Sequence, residues 1–397
     1  MSAPKSVGQA LKYLQAKHGD SFAFSVGDES PQEFGVNYKA YPFSSHALND
    51  ILGIGGIPSG RIVQIAGAES SGKTLLSLDL IKNVQQADPN AWAVFVDAEY
   101  TFDKQWAESH GVDTDRLVVI RENDGDEIWT ALCGDSKSKD KPGLLRQVLE
   151  DEKFAGLKLV VLDSIASISP PVEMAMSFGD QNYSPLARFL PHALRKLTPL
   201  LSRTGVSFVG INQVRVKPGV MYGNPEQEPG GHALKHACSV MIHVAKINKS
   251  ETAIHDDNGV QIGHRLRVRI DKNKCAPAYK VAELDIGYLQ GIINTDYELV
   301  DLAIQYGAIK QRGPMFDYNG ENFKGRDKLF EYFKGRNNYA AELLTLIKEA
   351  KVNHEEQKLS DMSLENLKSK ADNLGINIPE DDLNDKDAII AHINALS

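Results

Sequence analysis

Gly67-Ala68-Glu69-Ser70-Ser71-Gly72-Lys73-Thr74 is the stretch with the clearest chemistry in this 397-residue chain. Two glycines frame a short loop, and a lysine and a hydroxyl residue close it, which is the spacing of a P-loop. Backbone N–H groups of such a loop, with the positive end of the following helix, cradle phosphate oxygens. Lys73 would reach the β- and γ-phosphates, and the Thr74 hydroxyl would ligate Mg²⁺. The flanks fit, because Arg61 to Ala66 reads as an apolar strand and Leu75 to Val84 as a helix. The expected ligand is a nucleoside triphosphate.

Three further apolar runs end in polar residues. Ala93–Val96 leads to Asp97 and Glu99, Leu157–Leu162 to Asp163 and Ser164, and Val206–Ile211 to Asn212 and Gln213. Near-continuous apolar strands separated by helices predict a mostly parallel, doubly wound α/β sheet. Such sheets bind ligands beyond the carboxyl ends of their strands. There Asp163 would hold the Mg²⁺ water shell, and Glu99 would orient and deprotonate an attacking water. Gln213, running into a long loop, would sense whether the γ-phosphate is present. One carboxylate at a strand end is as often a helix cap; three such ends beside a P-loop favour phosphoryl chemistry.

Two loops stand out. Ser169 to Pro185 opens on Pro170-Pro171, and Val214 to Gly231 is rich in Gly and Pro, closing on Gly230-Gly231. Arg188, Arg195, Arg215 and Lys217 flank them, with Tyr183, Met221 and Tyr222 interleaved. Positive groups beside flat or apolar ones suit single-stranded nucleic acid; a lid over a small substrate is the equal alternative. His232 and His236, four apart, resemble a metal pair but lack a third ligand nearby.

Composition is that of a soluble globular protein, with 42% hydrophobic and 24% charged residues. The net charge of −9 argues against a general polycationic coat, though not against a local basic groove. Cys133, Cys238 and Cys275 have no metal or redox spacing, and Met1 to Gly8 lacks a signal-peptide core, so a reducing cytoplasm is expected. No run is long enough to span a membrane. Residues 1–36 read as a helix-and-strand arm, either docked on a neighbouring subunit or serving as an ordinary cap. Residues 37–293 read as the nucleotide-binding α/β core and 294–351 as a small α/β domain. A polar linker is expected over 352–359. In 360–397, Ser363 would cap a helix carrying Leu364, Leu367, Ala371 and Leu374, which Gly375 ends. An extended Ile376–Pro379 link then leads to a second helix burying Ile389, Ile390 and Ile393. That tail resembles helix–extended–helix modules of the HeH/SAP/LEM kind, many of which bind DNA or proteins.

From about Val7 to Ala350 the chain resembles the bacterial RecA recombinases. The resemblance rests on Gly67–Thr74, Val96-Asp97-Ala98-Glu99, Val160–Ser164, Ile211–Arg215, Gly219–Glu226, Gly230-Gly231 with Ala233-Leu234-Lys235, and Lys272-Asn273-Lys274. It implies a RecA-type P-loop ATPase that uses ATP and Mg²⁺. Such a protein forms a helical homo-oligomer on single-stranded DNA and exchanges strands with homologous duplex, with single-strand-binding and mediator proteins as further partners. It implies Glu99 as the hydrolytic carboxylate and Gln213 as γ-phosphate sensor. Lys272 and Lys274 would reach a neighbour's ATP, and Asp103 and Trp106 would border the adenine, with Tyr288 from the neighbour's side. Arg188, Arg195 and Arg215 would contact DNA phosphates beside Lys217, Pro218, Gly219 and the Gly230-Gly231 turn.

Several positions depart from that family. Trp106 replaces a usual Tyr, Pro218 an aliphatic wedge, and His236 an interface Phe. Ser136 to Gly156 is a longer connection, and the tail differs. These departures suggest a phage-encoded or otherwise divergent recombinase acting in bacterial or infected-host cytoplasm. Two other functions fit parts of the sequence: a filament-forming ATP-binding regulatory or recruitment protein, and a P-loop kinase for a small molecule. The kinase leaves the second loop and the Lys272/Lys274 pair without a use.

Overall fold

A computed structural model of the protein describes residues 12, 16–17, 39–135, 138, 140–177, 185–216, 226–227, 229–247, 252–373, 376, 378–379 and 382–394. The expected N-terminal arm lies outside these residues except for Lys12, Ala16 and Lys17, whose backbone is helical.

Among the described residues, the central sheet has ten strands. In chain order they are β1 (Ile62–Gly67), β2 (Trp92–Asp97), β3 (Leu117–Ile120), β4 (Leu157–Asp163), β5 (Ser207–Gln213) and β6 (Val240–Lys246), then β7 (Ala253–His255), β8 (Gln261–Asn273), β9 (Val281–Gly287) and β10 (Gly291–Ile293). Their spatial order is β10-β9-β8-β6-β1-β5-β4-β2-β3, with β7 paired to β8. From β6 to β3 every pairing is parallel. From β6 to β10 the pairings are antiparallel. Helices that position the site are α1 (His46–Leu52), α2 (Lys73–Ala87), α3 (Lys104–Ser109), α4 (Pro185–Thr204) and α5 (Gly231–Ala237). Those that follow include α6 (Thr295–Gln305), α7 (Tyr339–Asp361), α8 (Leu364–Asn373) and α9 (Lys386–Asn394).

Alternation along the strands feeds two cores. Val63, Ile65, Leu159, Val161, Val209 and Ile211 meet Leu76, Leu80 and Ile81 of α2 on one face. Ile62, Val160, Leu162 and Phe208 meet Leu190, Leu194, Leu197 and Leu201 of α4 on the other. Strands buried on both faces therefore read as continuous apolar runs. The strands β3 and β6 escape that signal. β3 is a short edge strand whose Val118 is exposed, and His243 and Lys246 interrupt the apolar run of β6.

The region after β10 has its own core, in which Tyr297 stacks on Phe330 with ring centroids 3.7 Å apart. It is fastened to α1. Glu298 accepts from Ser45 Oγ at 2.9 Å and from the Ala47 N–H at 3.0 Å, and Tyr306 Oη donates to both Asp50 oxygens at 2.9 Å. Lys351 pairs with the same Asp50.

Residues 352–359 are not a linker. They continue α7, because Tyr339 to Asp361 contains neither Gly nor Pro and its polar residues include strong helix formers. The end of α7 contributes Leu359 to a last small core with Leu367, Ala371, Ile376, Ile389 and Ile393. In this region α8 follows Ser363, whose Oγ accepts from the Asn366 N–H at 3.3 Å. Residues 376 and 378–379 are non-helical, and α9 buries Ile389 and Ile393. Leu374 and Gly375 lie outside the described residues.

Candidate nucleotide site and its links to the loops

The P-loop leaves the carboxyl end of β1 and enters α2 at Lys73. Gly67 is required there, since a Cβ would lie 2.3 Å from the Val244 carbonyl oxygen. Gly72 has φ +87° and a Cβ on it would meet Leu266 Cδ1 at 2.9 Å, so Gly answers both conformation and space. Lys73 is buried and donates from Nζ to the Ala68 carbonyl at 2.7 Å. Burial lowers its pKa, while the charges of Asp163, Glu99 and Glu69 oppose that shift. Among the described residues, the buried Ser71 Oγ has no hydrogen-bond partner.

Thr74 Oγ1 donates to Asp163 Oδ2 at 2.7 Å. Burial pushes the Asp163 carboxyl up to about 6; Glu99 and Asp97 add to the rise, and the Thr74 bond and Lys73 oppose it. A buried carboxylate short of positive charge, beside a hydroxyl and a phosphate cradle, is an oxygen set that fits Mg²⁺.

Glu99 is tethered through one oxygen. Its Oε1 accepts from Ser164 Oγ at 2.5 Å, from Gln213 Nε2 at 2.9 Å and from Ser167 Oγ at 3.2 Å. The structure thus brings Lys73, Thr74, Glu99, Asp163 and Gln213 to one edge. Ser167 was not anticipated, and a serine in a short helical turn after β4 carries no distinctive signal. Asp97 plays the blander part: it accepts from the N–H groups of Thr101 and Phe102 at 2.9 and 3.1 Å and shapes the turn toward α3.

Of the residues expected to border the base, Asp103 and Trp106 stand at α3 and Tyr288 in the turn from β9 to β10. Asp103 caps α3 by accepting from the Trp106 N–H at 3.0 Å, and Trp106 packs edge-on against His110 at 4.7 Å. His110 in turn abuts Gly291, where a Cβ would lie 3.3 Å from its ring. Tyr288 precedes this glycine in the turn from β9 to β10, with its ring 5.6 Å from His264. Strand register fixes which sheet edge Tyr288 occupies. β9 runs the same way as β1, and the Gly263↔Gly287 pair places Tyr288 at the edge where β1 delivers its own P-loop.

The lysine pair lies elsewhere. Gly67 aligns with Val244 and, through it, with Val268, whereas Lys272 is opposite Met241 near the start of β6. Four residues of strand separate Val268 from Lys272, about 13 Å, toward the sheet edge opposite the P-loop. Lys272 donates to the Lys235 carbonyl and Lys274 to the His236 carbonyl at 3.3 Å. The two lysines therefore do not join their own chain's phosphate site.

Two contacts lead from the site to the loops. Gln213 ends β5, and Asn212 Nδ2 donates to the Pro229 carbonyl at 2.9 Å, closing the base of the second loop. Gly230 and Gly231, at φ +99° and +66°, start α5 against Leu190 and Ala187 of α4. The backbone of Arg215 pairs with Gln227 in a short hairpin. Arg188 and Arg195 are exposed on α4. Tyr183, Lys217, Pro218, Gly219, Met221 and Tyr222 lie outside the described residues.

A family profile described as the RecA N-terminal domain matches residues 5–293. Over 343 residues the chain is 35% identical to Protein RecA of Cutibacterium acnes, covering 85% of this chain and 90% of that protein. The chain belongs to the RecA family. Protein RecA of Heliobacterium modesticaldum is 35% identical over 348 residues, with 87% and 92% covered, and that of Bifidobacterium longum 36% over 326 residues, with 82% and 75% covered. The large mostly parallel sheet and the small antiparallel sheet of Lys310–Arg312, Met315–Tyr318 and Glu321–Lys324 are those of a RecA-type α/β protein. Membership places the chain among ATP- and DNA-binding proteins of recombination and repair. Among the described residues, no helix of this RecA-family chain is long and apolar enough to cross a membrane.

Proposed function

We propose that this RecA-family chain is a cytoplasmic, ATP-dependent recombination protein that assembles as a helical filament on single-stranded DNA. It pairs that strand with homologous duplex and hydrolyses ATP under the control of DNA. The observation that carries this reading is the Gln213–Glu99 hydrogen bond. It links the carboxylate placed to activate water with the strand that feeds the second loop, so loop position and hydrolytic competence share one contact.

Within the site, Lys73 neutralises the β- and γ-phosphates, and the P-loop N–H groups from Gly67 to Thr74 cradle them. Thr74 and Asp163 hold Mg²⁺, which when bound offsets phosphate charge. Glu99 orients and deprotonates the attacking water, with Ser164 and Ser167 fixing its carboxylate. Asp103, Trp106 and Tyr288 enclose the base. Lys272 and Lys274, at the far sheet edge, approach the γ-phosphate bound by the adjacent subunit and stabilise its developing charge.

DNA follows the loops. Arg188, Arg195, Arg215 and Lys217 take phosphates, while Tyr183, Pro218, Gly219, Met221 and Tyr222 face bases and Gly230-Gly231 hinge the second loop. Residues 1–36 serve subunit contact, and single-strand-binding and mediator proteins act as partners. The test is strand exchange between a labelled single strand and its homologous duplex with ATP. Product formation is expected. Filaments that form with ATP yet never exchange strands would instead favour the regulatory reading.

A further inference from the structure

The outward face of α4 is unusual for an acidic protein. Arg188, His192, Arg195, Lys196 and Arg203 are all exposed along it, and its 20 residues include no Asp or Glu, although the chain has 53 acidic residues. The adjoining α5 also lacks a carboxylate, and the two helices pack together from their upper ends. On β8, by contrast, the arginines Arg265, Arg267 and Arg269 each pair with a carboxylate. On α4, among the described residues, Arg188, Lys196 and Arg203 have no salt bridge. Among the described residues, Arg195 finds only the Pro191 carbonyl, at 3.0 Å, and His192 Nδ1, at 3.3 Å. Arg188 also stands in the first turn, where the helix dipole disfavours a cation. Four positive charges along one face have no acid interspersed among them, although a helix that needed only a solvated face would mix both signs.

The helix has a direction. It begins at the first loop on the P-loop edge and ends at the opposite edge, where the Gly205 carbonyl accepts from the Gly60 N–H at 3.1 Å. From Arg188 to Arg203 the face extends about 22 Å. That matches six or seven base pairs of duplex at about 3.4 Å each.

We infer that the exposed face of α4 is a phosphate-binding ramp, carrying nucleic-acid backbone from the loops down the flank of the subunit through Lys196 and Arg203. The inference rests on the DNA-binding reading above and adds two residues which that reading does not use. The ligand it takes is a polyanionic backbone without base selectivity, because the face offers charge and no aromatic platform.

The experiment uses the full-length protein and measures binding to labelled single-stranded and duplex DNA between about 50 and 200 mM salt. Lys196→Gln/Arg203→Gln should flatten the slope of log affinity against log salt by up to about 1.4–1.8, two phosphate contacts at about 0.7–0.9 each. Lys196→Arg/Arg203→Lys should restore it. Both side chains are exposed, so thermal stability should stay unchanged and certify the fold. A steep wild-type slope that the neutral variant leaves intact would overturn the ramp. So would an unchanged slope with smaller DNA-free assemblies in sedimentation, which would assign the face to a second copy of the chain. Wild-type protein without salt-dependent DNA binding would instead remove the underlying reading.

Discussion

Gln213 and Glu99 meet across the sheet crest, the amide Nε2 donating to the carboxylate Oε1 at 2.9 Å. Ser164 Oγ donates to the same oxygen at 2.5 Å. The carboxylate is thus fixed on one side by the strand that ends in Asp163 and on the other by the strand that opens the second loop. Motion of that loop has a direct route to the group expected to activate water.

Separate substitutions should divide these roles. Glu99→Gln should still bind ATP but lose turnover by about 10²–10⁴-fold, the usual worth of a positioned base, and its filaments should lengthen. Gln213→Ala should keep DNA-free turnover within a few fold of wild type while losing stimulation by DNA. Steady-state ATPase assays with and without single strands check both. Normal hydrolysis by Glu99→Gln would take that residue out of the chemistry.

Register places Lys272 and Lys274 on the edge away from their own P-loop, which makes complementation possible. Lys73→Ala protein and Lys272→Ala/Lys274→Ala protein should each be inactive alone. Their mixture should regain turnover, since some contacts pair an intact P-loop with intact lysines. Co-assembled mixtures that stay inactive would contradict action across the subunit boundary.

Glu298 supplies a stability prediction. Burial pushes its carboxyl from 4.5 up to about 7, against its hydrogen bonds from Ala47 and Ser45, and Asp285 adds to the rise. Below the unfolded value both states hold the proton. Between the two values only the folded state does, and above about 7 the folded chain must ionise a buried group. The stability contribution is therefore full below 4.5 and lost as pH rises through about 7, by about 3 kcal/mol at most. Glu298→Gln, neutral throughout, should gain Tm relative to wild type between about pH 5 and pH 8. A Tm difference that does not change with pH would refute this account of the α1–α6 seam.

The tail is acidic: residues 360–397 hold three lysines and eight acidic residues. Removing residues 363–397 preserves α7, which a cut at 356 would sever. If the tail competes with DNA for the basic loops, the truncated protein should load on duplex faster, most clearly at low salt. Slower capture would mark the tail as a DNA-binding module.

What could be read from the sequence follows the strength of each physical signal. The P-loop, Glu99, Asp163 and Gln213 stand at the ends of strands buried on both faces, where composition and position reinforce one another. β3 and β6 lack that signal, being exposed at an edge or interrupted by polar residues. The 352–359 stretch looks like a linker because polarity marks both linkers and exposed helices; Leu359, buried at its end, decides for the helix. Strand register, which the sequence does not carry, was needed to set Tyr288 on the P-loop edge of the sheet. Glu298 looks like any surface glutamate in α6 until the fold sets it against Ser45, 253 residues away.

The central claim is that nucleotide hydrolysis and DNA engagement are one coupled event, and it is tested most directly by the ATPase rate of the full-length protein with and without single-stranded DNA. The account predicts little turnover alone and strong stimulation by the single strand, abolished in Lys73→Ala. Equal rates in the presence and absence of DNA, with DNA binding verified in the same solution, would contradict it.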